Sequence, residues 1–210
     1  IFNLDFAPYE SYLIGVTPVP VSETQITIQK EPKYAKIIEL ADQWDFKTDK
    51  PNALPLTQWD YSFRSGHQHA EKIYRTEFRC DTELSSGRLL MDGIVTEKIW
   101  RGSARVHSEI TLNGERVGSF EQGEYVDHYI MESEVGHLIK QGKNVLEIKC
   151  NTQLAPAAHL SDPAYIIGDF EVRGSAGKLK IVPAADNIKT GDWSEQGYPF
   201  YSGTGVYTQT

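Results

Sequence analysis

A chain of 210 residues, 40% hydrophobic and 24% charged, carries enough apolar material for one large or two modest folded domains and is too well mixed to be disordered. Its formal net charge is -8 and its pI near 5.3, with 21 Lys and Arg scattered rather than clustered, which argues against nucleic acid or an anionic membrane surface as partner. No apolar run is long enough to cross a bilayer as a helix, and no secretory leader is recognisable, although an internal segment of a longer chain would lack one in any case.

In chain order, Pro18 and Pro20 interrupt the first segment, so residues 1–20 are expected to close a preceding β-domain and lead into a linker. Short β-branched or alternating runs at 26–28, 73–80, 88–94, 104–112, 129–131, 145–150, 165–173 and 179–182 predict strands, separated by Gly, Asn, Asp and Pro. Helical character is confined to a weak period at 33–42 and one turn within 132–139. Asn113-Gly114 lies between Ile110-Thr111-Leu112 and Arg116-Val117-Gly118; it predicts a type I′ hairpin, whose two central residues both need positive φ. Such spacing points to an all-β antiparallel sandwich over 34–182. Residues 183–210 are expected to form a connector and the start of a further β-sandwich, because the alternation Val206-Tyr207-Thr208-Gln209-Thr210 opens a strand with no partner after it.

Cys80 and Cys150 each end an alternating run that puts them on the apolar face with Phe78 and Ile148, so both are expected to point inward as free thiols, with a disulfide as the alternative. Catalytic motifs are absent. No Gly-x-Ser-x-Gly elbow occurs, and His107 and Ser108 would project from opposite faces of a strand. Carboxylate pairs such as Glu132 with Glu134 or Glu124 with Asp127 are expected by chance among 29 acidic residues. His67-Gln68-His69 has chelating spacing but no third ligand nearby, and Gly203-Thr204-Gly205 is turn chemistry rather than a phosphate cradle.

Sugar sites combine an aromatic platform for C–H faces with hydrogen-bonding groups at its rim, held on loops of a rigid scaffold. Three stretches have that mixture: Trp59-Asp60-Tyr61 with Arg64, His67 and His69; Trp100-Arg101; and Tyr125-Val126-Asp127-His128-Tyr129. Candidate carbohydrate-binding residues are therefore Trp59, Tyr61, Arg64, Trp100, Tyr125 and His128, while Trp44, Trp59 and Trp193 are equally suited to anchor a core or a domain contact.

The run Leu112-Asn113-Gly114-Glu115-Arg116-Val117-Gly118, followed by 129–139 and Gly142-Lys143-Asn144-Val145-Leu146-Glu147-Ile148, resembles the signature of the galactose-binding-like jelly-roll sandwiches that accompany family-two-type glycoside hydrolases. Phe2-Asn3-Leu4-Asp5-Phe6, Asn52-Ala53-Leu54-Pro55-Leu56, Ile166-Ile167-Gly168-Asp169-Phe170 and the stretch 193–207 follow in an order similar to the carboxy-terminal part of large bacterial α-L-rhamnosidase-type enzymes. That resemblance implies a non-catalytic accessory or carbohydrate-binding module acting on complex polysaccharide, secreted or periplasmic. Its partners would be a glycan, a catalytic barrel and neighbouring β-domains. In that family the catalytic carboxylates belong to an upstream barrel, so no catalytic residue is carried over. No cofactor is implied, although some related sandwiches carry a structural calcium. The competing class is a stand-alone carbohydrate-binding or adhesion protein.

Overall fold

The computed structural model of the protein describes residues 42–65, 70–92, 106–123, 125, 129–152, 164–175 and 177–209. All belong to the second of the two units into which the chain divides, Ala41–Thr210. The strands expected at 26–28, the helical period over 33–41 and the segment 1–20 lie outside the described residues.

The described residues form an all-β sandwich. One sheet has seven strands: β3 (Asp60–Ser65), β4 (Ala70–Cys80), β6 (Val106–Leu112), β7 (Glu115–Arg116), β10 (Gly142–Thr152), β12 (Glu171–Arg173) and β13 (Lys180–Val182). The facing sheet has five: β2 (Asn52–Leu56), β5 (Gly87–Asp92), β8 (Glu121–Gln122), β9 (Ile130–Glu134) and β11 (Ala164–Gly168), in the order β2-β11-β5-β9-β8. The chain crosses repeatedly from one sheet to the other, the jelly-roll arrangement. Its spine is the antiparallel ladder of β4 and β10, paired from Gly142 with Cys80 to Thr152 with Ala70. Strict alternation along these strands turns Tyr74, Thr76, Phe78, Cys80, Leu146, Ile148 and Cys150 inward, where they meet Leu54, Leu56, Leu89, Met91, Ile166 and Phe170 from across the sandwich. One edge of β4 is shared end to end: β3 pairs antiparallel along its first half, and β13 pairs parallel at Arg79 and Cys80.

Both cysteines are buried, and neither is in a disulfide. Cys80 faces Gly142 and Cys150 faces Lys72, at opposite ends of the ladder. Eight residues of strand separate them by about 27 Å, far beyond disulfide reach, so the disulfide alternative fails. Burial pushes the Cys80 thiol up.

The Asn-Gly hairpin forms as the sequence requires, with Asn113 at φ 56° and Gly114 at φ 83°. Its neighbours explain the rest of the signature. Asn144 is fully buried; its Oδ1 accepts from Lys140 N (2.8 Å) and Asn113 Nδ2 (2.7 Å), and its Nδ2 donates to Lys140 O (2.7 Å). Asn113 in turn donates to Leu138 O (2.9 Å) and accepts from Val145 N (3.0 Å). Two asparagines thus fasten the β6–β7 hairpin to the start of β10 and to a 3₁₀ turn at Gly136–Leu138. The one turn expected within 132–139 is this 3₁₀ turn; the stretch is not helical throughout, because β9 runs on to Glu134 before the turn begins.

The run 165–173 is not one strand either. β11 ends at Gly168 in the five-stranded sheet, and β12 begins at Glu171 in the other. Asp169 and Phe170 carry the chain between layers, and Asn52 secures the crossing by donating to Phe170 O (2.9 Å) and Gly197 O (2.8 Å).

A third sheet, β14-β1-β15, is made from β1 (Gln43–Thr48), β14 (Asn187–Lys189) and β15 (Gly205–Thr208). The strand at 205–208 therefore has a partner, supplied from far upstream: Phe46 lies opposite Tyr207. Phe46, Ile188, Tyr198 and Tyr201 form a small aromatic core on which Trp193 packs, 6.1 Å from Phe46 and 5.8 Å from Tyr201 between ring centroids. Among the described residues, no helix is long and apolar enough to cross a membrane.

Candidate functional site

The candidate residues gathered from 59–64 do not converge. Trp59 is half-buried: its Nε1 donates to Leu56 O (2.8 Å), and its ring meets Tyr74 edge-on at 6.5 Å. It closes the core rather than offering a platform. Residues 60–65, expected as a loop, are strand β3, so period-two alternation sends Tyr61 and Arg64 to opposite faces. Tyr61 stacks obliquely on Tyr74 (5.2 Å) on the sandwich-facing side, where Phe63, unremarked in the sequence, is also exposed. Arg64 lies opposite Glu71 on the other side. Trp100, Arg101, His128, and His67-Gln68-His69 lie outside the described residues.

Tyr125 does sit among polar groups. The outer face of the five-stranded sheet carries Ala53, Leu90, Ile130 and Ile167, all buried, with Tyr125 and Tyr165 packed against them. At one side this apolar patch gives way to an open depression of about 390 Å³ lined by Lys50, Arg88, Gln122, Tyr125 and Glu132. It adjoins a second of about 330 Å³, also walled by Arg88 and Glu132, together with Ser119, Glu121 and Glu134. Arg88 and Glu132 are set by the β5–β9 ladder, in which Arg88 lies opposite Glu134 and Leu90 opposite Glu132. The Arg88 Nη1 to Glu132 Oε2 distance is 2.8 Å, with Glu134 Oε1 at 4.0 Å from Nε.

Each part has a local cause. Gly123 lets the chain pass directly over Glu132, because a Cβ there would meet its carboxylate at 3.0 Å. The Tyr125 hydroxyl donates to Pro51 O (2.9 Å), fixing the ring against the sheet. Burial pushes its phenol up while the nearby Arg88 cation opposes the shift, so the ring stays neutral at ordinary pH. Arg88 brings a fork of N–H donors and Glu132 brings acceptors, held by one another in one geometry. Such a pair beside a ring can grip neighbouring hydroxyls of a ligand whose C–H face rests on the aromatic.

The same arrangement is unsuited to hydrolysis. Glu132 and Glu134 project side by side from one strand rather than flanking a bond from two sides, and Glu132 is tied to Arg88. Among the described residues, no three His, Cys, Asp or Glu side chains come together to hold a metal ion, so no place for calcium is identified there. Arg88, Gln122 and Lys50 escaped the sequence reading, and Glu132 entered it only as half of a chance carboxylate pair with Glu134. Their partnership depends on strand register, and the only local signal was the aromatic-rich run containing Tyr125.

No protein-family model matches the sequence, and no curated protein matches it. Among solved structures, the chain is similar to the α-L-rhamnosidase from Dictyoglumus thermophilum, with a TM-score of 0.27 and 14% identity over 66% of this chain and 16% of that one. It is also similar to native α-L-rhamnosidase from Aspergillus terreus, with a TM-score of 0.26 and 16% identity over 67% of this chain and 17% of that one. The chain thus spans about a sixth of the length of these two structures. Likenesses this slight leave the fold resting on the strand registers given above.

Proposed function

We propose that the sandwich is a non-catalytic carbohydrate-binding module of a multimodular glycoside hydrolase, and that it takes a neutral glycan in the depression beside Tyr125. The observation that carries the reading is the Arg88–Glu132 pair, held at 2.8 Å at the foot of a half-buried tyrosine ring. Two sets of sequence features support the wider setting: the Asn113-Gly114 and Gly142-Lys143-Asn144 signature, and the order of the segments around it.

Binding of oligosaccharides to the whole chain, measured by calorimetry after a glycan-array screen, tests this reading. A bound glycan should lose about tenfold in affinity in Arg88→Ala, the size expected for one charge-assisted hydrogen-bond set. Lys143→Ala, on the far sheet, should leave affinity unchanged. Glycan binding that is indifferent to Arg88→Ala, or no binding to any glycan by the folded chain, would overturn the proposal.

A further inference from the structure

An asparagine followed by glycine is chemically labile, because glycine has no side chain to shield its backbone nitrogen from the asparagine amide carbon. Asn113-Gly114 is such a pair, and none of the other five asparagines in the sequence precedes a glycine. The pair occupies the two central positions of the β6–β7 hairpin, with Asn113 at φ 56° and Gly114 at φ 83°. Gly114 is exposed, and a Cβ placed on it would meet nothing within 4 Å, so water has open access to this turn.

The fold withholds the reaction that the sequence invites. Asn113 Nδ2, the group that must leave, donates to Leu138 O (2.9 Å) and Asn144 Oδ1 (2.7 Å), and Asn113 Oδ1 accepts from Val145 N (3.0 Å). The backbone is held as well, with Asn113 N donating to Val145 O at 2.8 Å. To bring the Gly114 nitrogen onto Asn113 Cγ, the side chain must leave all three partners and the backbone must rotate out of the left-handed turn. That rotation undoes the pairing of Leu112 with Glu115. Only an opened hairpin can therefore react, and loss of three side-chain hydrogen bonds makes that form rarer by about a hundredfold.

We propose that Asn113 is a spontaneous deamidation site, latent in the closed hairpin, whose modification irreversibly releases the lock between the hairpin, the 3₁₀ turn and β10. In the open form the Gly114 nitrogen gives up its proton to water and bonds to Asn113 Cγ; the Cγ–Nδ2 bond breaks and the amide leaves as ammonia. Water then opens the five-membered imide at one of its two carbonyls, giving aspartate or isoaspartate with no change of oxidation state. Aspartate puts an acceptor where Nδ2 stood, facing Leu138 O and Asn144 Oδ1, two further acceptors. Asn144 cannot turn its amide to meet it, because its Oδ1 accepts from Lys140 N (2.8 Å) and its Nδ2 donates to Lys140 O (2.7 Å). Isoaspartate draws Cβ into the main chain and lengthens a connection whose geometry depends on having two residues. Either product opposes closure of the hairpin that produced it.

The test is incubation of the whole chain at neutral pH in heavy-oxygen water, with peptide mapping by mass spectrometry to follow aspartate and isoaspartate at position 113. Modification should run about a hundredfold slower in native buffer than in urea that unfolds the chain. Asn144→Ala, which removes one partner of Asn113 Nδ2, should speed it in native buffer by at least about fivefold. Tyr201→Phe, which loses its bond to Asp49 in the part of the chain built around the three-stranded sheet, should leave the rate unchanged. Asn113→Asp, the aspartate product made directly, should unfold at lower urea than the parent. Native and unfolded rates within twofold of each other, or no modification of the unfolded chain, would overturn the proposal. So would a native rate unmoved by Asn144→Ala, an equal rise in Tyr201→Phe, which would tie the reaction to global unfolding rather than to the hairpin, or an Asn113→Asp chain as stable as the parent.

Discussion

Replacing Asn144 by Ala should be among the most damaging single changes available to the sandwich. The side chain is fully buried and makes three short hydrogen bonds, to Lys140 N, Lys140 O and Asn113 Nδ2, plus a longer one to Gly142 O at 3.3 Å. Asn113 keeps its bond to Leu138 O, and the Lys140 groups can recover some hydration because that residue is exposed. Three bonds at about 1 kcal/mol each give a loss of about 3 kcal/mol, a large part of the about 5–15 kcal/mol that separates folded from unfolded states. At about 2–4 °C per kcal/mol for a domain of this size, the melting temperature should fall by about 6–12 °C. Asn144→Asp keeps the acceptor but points an anionic oxygen at the Lys140 carbonyl, and should cost at least as much. Urea denaturation of both variants beside Lys143→Ala checks the reasoning. Lys143 is paired with Glu77 at 2.7 Å, but both side chains are well exposed, so losing that pair should cost under about 1 kcal/mol. An Asn144→Ala loss as small as that of Lys143→Ala would refute the claim that the two asparagines hold the hairpin, the 3₁₀ turn and β10 together.

Gly136→Ala places a methyl 2.8 Å from Gly87 N and 3.1 Å from the Ser86 carbonyl carbon, both backbone. The 3₁₀ turn must move off β5 and stretch the Val135 N to Gly87 O bond (2.7 Å), at about 1–3 kcal/mol in the same urea assay; a change within error would mean that this contact gives way freely. Tyr201 donates to Asp49 Oδ1 at 2.5 Å, and burial together with that carboxylate pushes its phenol up to about 12. The folded state therefore holds a proton that the unfolded chain releases near pH 10, so this contribution is intact below pH 10 and is lost as pH rises from 10 to 12. The stability difference between the parent and Tyr201→Phe should narrow over that interval, and a difference that stays constant from pH 9 to 12 would contradict it.

The strands that alternate cleanly were legible in the sequence. Tyr74 to Cys80 and Val145 to Cys150 alternate inward apolar with outward polar residues, and they became the central ladder. Asn113-Gly114 declared its own backbone geometry. Other features depended on information that no local window holds. Tyr165 to Arg173 looks continuous because β11 is buried on both faces, with Ile166 and Ile167 each fully buried, so nothing in hydropathy marks the change of layer at Gly168. Asp60 to Ser65 looks like a polar aromatic loop until β4 is laid beside it. The Arg88–Glu132 pair joins residues 44 positions apart, and only the β5–β9 register brings them together. Tyr125 was found because an aromatic among polar residues is visible in composition.

The long-range closure of the three-stranded sheet also predicts an order of assembly. Thr204 N bonds to Asp49 Oδ1 across 155 positions of chain, and β1 has no described strand partners besides β14 and β15. Closing so long a loop carries an entropic penalty that falls with every contact formed inside it, and contacts between distant residues are the slow ones in folding. The β4–β10 ladder and the facing sheet lie within that span, so their formation shortens the effective loop before its ends meet. During refolding, pulse-labelling hydrogen exchange should protect Leu146 and Ile148 before Phe46 and Tyr207; simultaneous protection of all four would mean that sandwich and small sheet form as one cooperative unit.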